Sequence, residues 1–182
     1  SKLVDQLLCA PGNAGIAKVA TCVPGVKATD IEAIVKLAKD EKVDFVCVTP
    51  DDPLALGCVD RLHEAGIPCF GPDAKAARIE ASKVFSKNLM KKYGIPTAKY
   101  EVFCDAGKAL EYLRDSEYPI VIKADGLALG KGVLIPTNYD EAAAAIKSIM
   151  EDKAFGDSGN EVVIEEFLTG PEVSVLAFTD GV

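Results

Sequence analysis

Pro119-Ile120-Val121-Ile122-Lys123-Ala124-Asp125-Gly126-Leu127-Ala128-Leu129-Gly130-Lys131-Gly132-Val133 joins a short apolar strand carrying one lysine to a glycine-rich turn carrying another. The β-branched run ahead of Lys123 predicts a strand, while Gly126, Gly130 and Gly132 leave the backbone free to bring its N–H groups up to an anion. Lys123 and Lys131 add compact positive charge where those amides point. A lysine inside so apolar a run requires an anionic partner or an exit to water, because an unpaired buried ammonium is costly. The spacing is not that of a common P-loop: three residues separate Gly126 from Gly130-Lys131, and Gly132 stands where a magnesium-binding Ser or Thr belongs. The competing reading is a tight hairpin with Lys131 solvated at its tip.

The 182 residues, 49% hydrophobic and 26% charged, have the balance of a soluble globular protein of one large domain or two small ones. Twenty basic against twenty-eight acidic residues give a net charge of -8. That argues against sequence-independent nucleic-acid binding, so any phosphate bound is expected to belong to a small ligand. No apolar run is long enough to span a bilayer and Ser1-Lys2-Leu3-Val4-Asp5 is no signal peptide, which predicts a cytoplasmic protein without a membrane partner. Cys9, Cys22, Cys47, Cys58, Cys69 and Cys104 show no paired ligand spacing and read as small buried hydrophobes rather than a disulfide framework or zinc site. The single histidine, His63, falls in a predicted helix, where a surface or packing role is expected; a Ser-His-Asp triad has no support.

Working towards the N-terminus, residues 1–72 alternate strand and helix signals in the manner of a parallel α/β sheet. Leu7 to Ala10 predicts a strand running into the turn Pro11-Gly12-Asn13-Ala14-Gly15. Thr29-Asp30-Ile31-Glu32 has capping-box spacing ahead of a helix ending near Glu41. Val43 to Val48 predicts a central strand whose carboxyl end opens into Thr49-Pro50-Asp51-Asp52-Pro53, the edge where ligands sit in such sheets. One helix from Leu54 to Ala65 and a strand from Ile67 to Phe70 follow. Two helical stretches, Ala74 to Ser82 and Lys83 to Tyr93, then stop at Gly94-Ile95-Pro96. Beyond them come a strand at Ala98 to Phe103, a helix at Gly107 to Asp115, the lysine strand and its turn, a strand at Val133 to Pro136 and a helix from Asp140 to Glu151. Strands at Glu161 to Phe167 and Glu172 to Phe178 complete the pattern.

The last pair holds a second informative stretch, Val162-Val163-Ile164-Glu165-Glu166-Phe167-Leu168, followed by Gly170-Pro171-Glu172. Phe167 and Leu168 can sandwich a base while the backbone bonds its edge, and the Glu172 carboxylate can grip ribose hydroxyls. The same residues also suit an ordinary hairpin with Glu165 and Glu172 on a wet face.

Taken in order, Ala10-Pro11-Gly12-Asn13-Ala14-Gly15, Asp52-Pro53-Leu54, Gly71-Pro72, Ala81 to Lys87, Tyr93 to Ala98, the lysine-glycine segment, Lys153-Ala154-Phe155-Gly156 and Glu165-Glu166-Phe167-Leu168 resemble the glycinamide ribonucleotide synthetase (phosphoribosylamine–glycine ligase) family of the ATP-grasp superfamily. The resemblance covers nearly the whole chain. It implies an α/β fold: a partial Rossmann-like pre-ATP-grasp domain with a parallel sheet, then the first part of an ATP-grasp domain, an α+β lid subdomain with an antiparallel sheet. On this reading residues 1–72 form the substrate-binding domain, 73–117 a helical connection and the start of the ATP-grasp domain, and 118–182 the lid subdomain. It further implies a ligase that joins glycine to 5-phosphoribosylamine in purine biosynthesis, converting ATP to ADP and phosphate through glycyl phosphate with magnesium. Lys83 and Lys123 would contact the nucleotide phosphates, with Lys123 and Lys131 the catalytic charges and Gly126, Gly130 and Gly132 in the mobile lid. Glu165, Phe167 and Leu168 would line the adenine pocket and Glu172 the ribose. Gly12, Asn13, Gly15, Asp51, Asp52 and Pro53 are candidates for the phosphoribosyl group or glycine.

Four positions depart from the family pattern: Thr49 and Asp51 in Thr49-Pro50-Asp51, where Gly-Pro-Glu is usual, Leu129 in place of an Ala, and Pro171 in place of an acidic residue. The family also has a strand and glycine turn before Leu7 and a larger half after Gly181 that holds the magnesium ligands, so the chain is expected to be a fragment, inactive alone and supplying no metal ligand. Other ATP-grasp carboxylate-amine ligases or carboxylases, and a non-catalytic nucleotide-binding module, are the alternatives.

Overall fold

The computed structural model describes residues 2–127 and 132–177. The predicted site residues Gly130 and Lys131, and the end of the predicted last strand at Phe178, lie outside the described residues. The fold is α/β, with parallel pairing in the first part and an antiparallel sheet in the second.

In the first part β1 (Leu8–Cys9) pairs in parallel with β2 (Thr21–Cys22), and β3 (Val46–Cys47) with β4 (Cys69–Phe70). Among the described residues these are two separate pairs rather than the continuous sheet expected from the sequence. β2 carries no apolar alternation and escaped prediction; it is held by bonds from Thr21 N to Leu7 O and Val23 N to Cys9 O. Helix α1 (Ile31–Asp40) is capped by Asp30, whose carboxylate accepts from Ala33 N at 3.0 Å, one residue later than the Thr29 capping box predicts. Glu32 is thereby freed to pair with Arg61 at 2.8 Å.

The single helix expected from Leu54 to Ala65 is two: α2 (Asp51–Ala55) and α3 (Cys58–Glu64). Pro53 is tolerated because it sits in the first turn, where its missing N–H has no helical partner. Gly57 breaks the run in the left-handed region at φ 80°, and Leu54, Cys58, Val59 and Leu62 bury together with Val35, Val48 and Ala77 as the first core. His63 is exposed on α3, as expected. The cysteines are all free, but only Cys58 is buried; Cys47 and Cys104 are exposed, against the expectation of buried hydrophobes.

Helix α4 (Ala74–Ala81) leads directly into α5 (Lys83–Tyr93), which ends at Gly94 in the left-handed region. The second part is a four-stranded sheet in the order β5-β8-β6-β7, formed by β5 (Tyr100–Phe103), β6 (Ile120–Ala124), β7 (Val133–Leu134) and β8 (Val162–Glu166). Ile120, Ile122 and Ala124 of β6 and Val162 and Ile164 of β8 point to one face. There they bury against α6 (Ala106–Arg114) and α7 (Tyr139–Ile146), in a core that includes Leu113, Ile146 and Ile149. The helix predicted to reach Glu151 ends as an α-helix at Ile146 and continues as one π-helical turn, Lys147–Glu151. Residues 172–177, the described part of the strand expected from Glu172 to Phe178, are exposed and pair with no strand among the described residues; no described residue buries their apolar side chains, so alternation alone does not make a strand.

Gly71 closes β4 at φ 146°, where a Cβ would lie 2.9 Å from Leu54 Cδ2 and 3.1 Å from Val48 O. Gly71→Ala is expected to cost about 1–3 kcal/mol in urea unfolding through strain and overpacking; an unchanged midpoint would show that α2 and β3 yield freely.

Candidate active site

Strand alternation sends Lys123 to the face of the sheet opposite the α6/α7 core, since its neighbours Ile122 and Ala124 are fully buried on the other side. Glu165 of β8 shares that face: it stands opposite Val121 while Lys123 stands opposite Val163, making the two diagonal cross-strand neighbours. Lys123 Nζ lies 3.0 Å from Glu165 Oε1, and Lys87 Nζ, reaching down from α5, lies 3.0 Å from Oε2. The partner that Lys123 requires is therefore a carboxylate only 6% exposed. Lys123 approaches Oε1 off the hydrogen-bonding direction, so this buried oxygen has an ionic contact but no hydrogen bond.

A second linkage fixes the glycine turn to α5. Ser82 caps the helix by accepting from Phe85 N at 3.0 Å. Asp125, directly after β6, accepts from Ser82 Oγ and from Val84 N at 3.1 Å. A carboxylate at a helix N-terminus is favoured by the free N–H groups there. Lys83, the first residue of α5, donates to Gly126 O at 2.5 Å. Gly126 sits at φ 90°, and a Cβ on it would come within 2.7 Å of Ser158 Oγ. The near end of the glycine turn is thus held on three sides, by Ser82, Lys83 and Ser158.

These residues border a cleft of about 390 Å³ lined by Lys83, Lys87, Lys123, Gly132 and Glu165, with Asp51 from the start of α2 and the apolar Ile79, Met90 and Leu127. Burial lowers the Lys83 pKa; the Asp125 carboxylate opposes it in part, the charge of Lys123 lowers it again, and Glu80 and Glu165 raise it by less. Ammonium groups held in a partly desolvated cleft beside bare glycine backbone suit an oxyanion that brings its own negative charge. A second hollow of about 310 Å³, between β7 and α7, has a mostly aliphatic wall. Its one carboxylate, Glu141, already accepts from Thr137 N and Oγ1.

The structure thus gathers Asp51, Lys83, Lys123, Gly132 and Glu165 of the predicted site residues. Phe167 and Leu168 follow β8 and are exposed, as is Glu172 in the irregular segment beyond. Gly12, Asn13 and Gly15 do not border the cleft. The Asn13 side-chain Oδ1 accepts from Gly15 N at 2.9 Å and Ile16 N at 3.0 Å, and a Cβ on Gly12 would strike Cys22 Sγ at 2.4 Å, so both residues have structural work in the turn between β1 and β2. Asp52 is half-buried and Pro53 buried within α2. Sequence reasoning missed Lys87 and Asp125. A polar face recurring at Lys83, Lys87 and Lys91 along α5, facing an acid in a buried strand, is the signal that marks the first.

Comparison with known proteins bears on both parts of the chain. The family model described as phosphoribosylglycinamide synthetase, N domain, matches residues 1–80, and that of the ATP-grasp (A) domain matches residues 81–182. Phosphoribosylamine–glycine ligases of Xanthomonas campestris and Escherichia coli O6:H1 are each 47% identical over 182 residues, all of this chain and 42% of theirs. A crystal structure of phosphoribosylamine–glycine ligase from Thermotoga maritima is 35% identical, with a TM-score of 0.72, covering 93% of this chain and 40% of that one. The biotin carboxylase domain of Hydrogenobacter thermophilus 2-oxoglutarate carboxylase, solved with MgADP, shares the fold at 21% identity and a TM-score of 0.67, over 82% of this chain and 34% of that one. The chain spans about two fifths of the length of the curated ligases it matches.

Because the native state lowers the Lys83 pKa below 10.5, its protonated form is penalised at neutral pH, and that penalty disappears as pH rises through the lowered value towards 10.5. In paired urea titrations wild type is expected to gain stability relative to Lys83→Met across that window. A difference that stays constant or falls with pH would refute the desolvated setting of Lys83.

Proposed function

The chain belongs to the phosphoribosylglycinamide synthetase family, and we propose that the whole protein is an ATP-dependent ligase joining glycine to 5-phosphoribosylamine to give glycinamide ribonucleotide, ADP and phosphate in purine biosynthesis. The observation that carries this reading is the cleft in which Lys83 and Lys123 face Gly132 beside the unsatisfied buried oxygen of Glu165. In the first step a glycine carboxylate oxygen attacks the γ-phosphorus and the bond to the bridging β,γ-oxygen breaks, releasing ADP and leaving glycyl phosphate. In the second, the phosphoribosylamine nitrogen attacks the acyl carbon, the carbon–oxygen bond to phosphate breaks, and the nitrogen gives up a proton.

Such transfers need positioning and charge neutralisation more than a protein nucleophile. Lys83 and Lys123 hold the phosphate oxygens, and the segment from Gly126 to Gly132 covers them as a lid, with Gly130 and Lys131 near its tip. Glu165, Phe167 and Leu168 border the adenine and Glu172 the ribose. Asp51, Asp52 and Pro53, with Gly12, Asn13 and Gly15, serve the phosphoribosyl group or glycine. In domain terms residues 1–72 carry the substrate, 73–117 connect, and 118–182 form the lid subdomain. No group of three or more His, Cys, Asp or Glu side chains among the described residues is placed to hold a metal. Magnesium, which would neutralise phosphate charge when bound, is therefore assigned to the part of the relatives' length beyond this chain. No described helix is long and apolar enough to cross a membrane; we place the reaction in the cytoplasm.

In the whole protein, ADP release should require glycine. Release driven by bicarbonate in its absence would assign a carboxylase of the same fold instead. Lys123→Ala should lower kcat/KM by the equivalent of about 2–4 kcal/mol, the effect of removing one preorganised electrostatic donor, and an unchanged rate would remove Lys123 from the site. Residues 1–182 alone are expected to form no ADP with glycine, since no group placed to hold a metal occurs among the described residues. Turnover by that segment would show the remainder to be dispensable.

A further inference from the structure

Lys87 lies at the bottom of the cleft, on the face of α5 that covers the sheet, and its side chain is only 8% exposed. Its ammonium donates to Thr97 Oγ1 at 2.7 Å and, more loosely, to Ala98 O at 3.5 Å, and makes an ionic contact with Glu165 Oε2 at 3.0 Å. The Tyr100 ring lies 5.4 Å from its nitrogen. Two protein hydrogen bonds and near-complete burial hold the Lys87 nitrogen away from a ligand. Lys123 differs: its side chain is 27% exposed, and among the described residues its ammonium meets only Glu165 Oε1, without a hydrogen bond. Two ammonium groups therefore share one carboxylate, and of the two only Lys123 can still turn to the cleft.

We propose that Lys87 is a positioning residue for phosphate binding: it neutralises Glu165 from beneath, so that Lys123 presents its charge to the phosphates instead of surrendering it to the carboxylate. The Glu165 carboxylate needs one full counter-charge because burial withholds water from it. With Lys87 present that need is met from α5, through a nitrogen fixed by Thr97 and Ala98. Without it, Lys123 is the remaining cation at the carboxylate and is drawn onto it. Lys87 thus acts through Glu165, and its loss should be felt by the phosphates more than by the base, which the Glu165 side chain only borders.

This inference rests on the nucleotide reading of the cleft, and the test separates the two. In the whole protein, calorimetric titration with ATP and with adenosine gives the ratio of the two affinities for each variant. Lys87→Met should weaken ATP about tenfold or more while changing adenosine less than about twofold, the mark of a lost charge rather than a collapsed pocket. In the double variant Lys87→Met/Glu165→Gln, which also removes the carboxylate's demand, both affinities can fall through the adenine that Glu165 borders, but that loss is common to ATP and adenosine and the ratio should return to within about threefold of wild type. Lys87→Arg keeps the charge and should hold the ratio within about threefold even if Lys87→Met does not fold. The inference is overturned if Lys87→Met leaves the ratio unchanged, if ATP and adenosine weaken together, if the double variant fares no better than the single, or if Lys87→Arg loses the ratio tenfold. The nucleotide reading fails separately, if wild type binds no ATP or if Lys123→Ala leaves the ratio unaltered.

Discussion

A carboxylate buried on the middle strand of a sheet, between two ammonium groups from different elements, is the constraint on which the cleft depends. Glu165 would be too costly to bury alone, and Lys87 and Lys123 each too costly without an acceptor. Together they join α5, β6 and β8 at one point. The apolar core on the other face of the sheet supplies the stability; the charged trio supplies the placement. Either lysine substituted alone leaves a buried charge whose partner lies on another element, which makes the ionic contacts a geometric coupling between helix and sheet.

The glycine turn is organised by a separate set of polar contacts. Asp125 binds the start of α5, Lys83 binds Gly126, and Ser158 fills the space a side chain at Gly126 would need. These contacts keep the end of β6 and Gly126 in register with the start of α5.

Much of this was legible from the residues. The strand carrying Lys123, the helices either side of Ser82 and the Gly94 stop all follow from local chemistry, and the structure places them within a residue or two of expectation. Other features depend on tertiary contacts that spacing cannot reveal. Thr29 and Asp30 are both able to cap α1, and the pairing of Glu32 with Arg61 of α3 accompanies the choice of Asp30. Gly57 could have continued a helix; it turns left-handed and divides α2 from α3. The alternation from Glu172 onward reads as strand but has no neighbour to pair with among the described residues. Lys87 looked like one more solvated helix lysine, because nothing in its own segment shows that a glutamate seventy-eight positions later faces it across the sheet.

The register of β8 between β5 and β6 has a consequence for assembly of the sheet. Sliding that central strand by a single residue would drive Glu165 among Leu113, Ile146 and Ile149, and would expose Ile164 to the ammonium groups. Mispaired intermediates thus carry a penalty that the correct alignment escapes, and one ionisable side chain serves as a proofreading mark for a ladder built otherwise from interchangeable aliphatic residues.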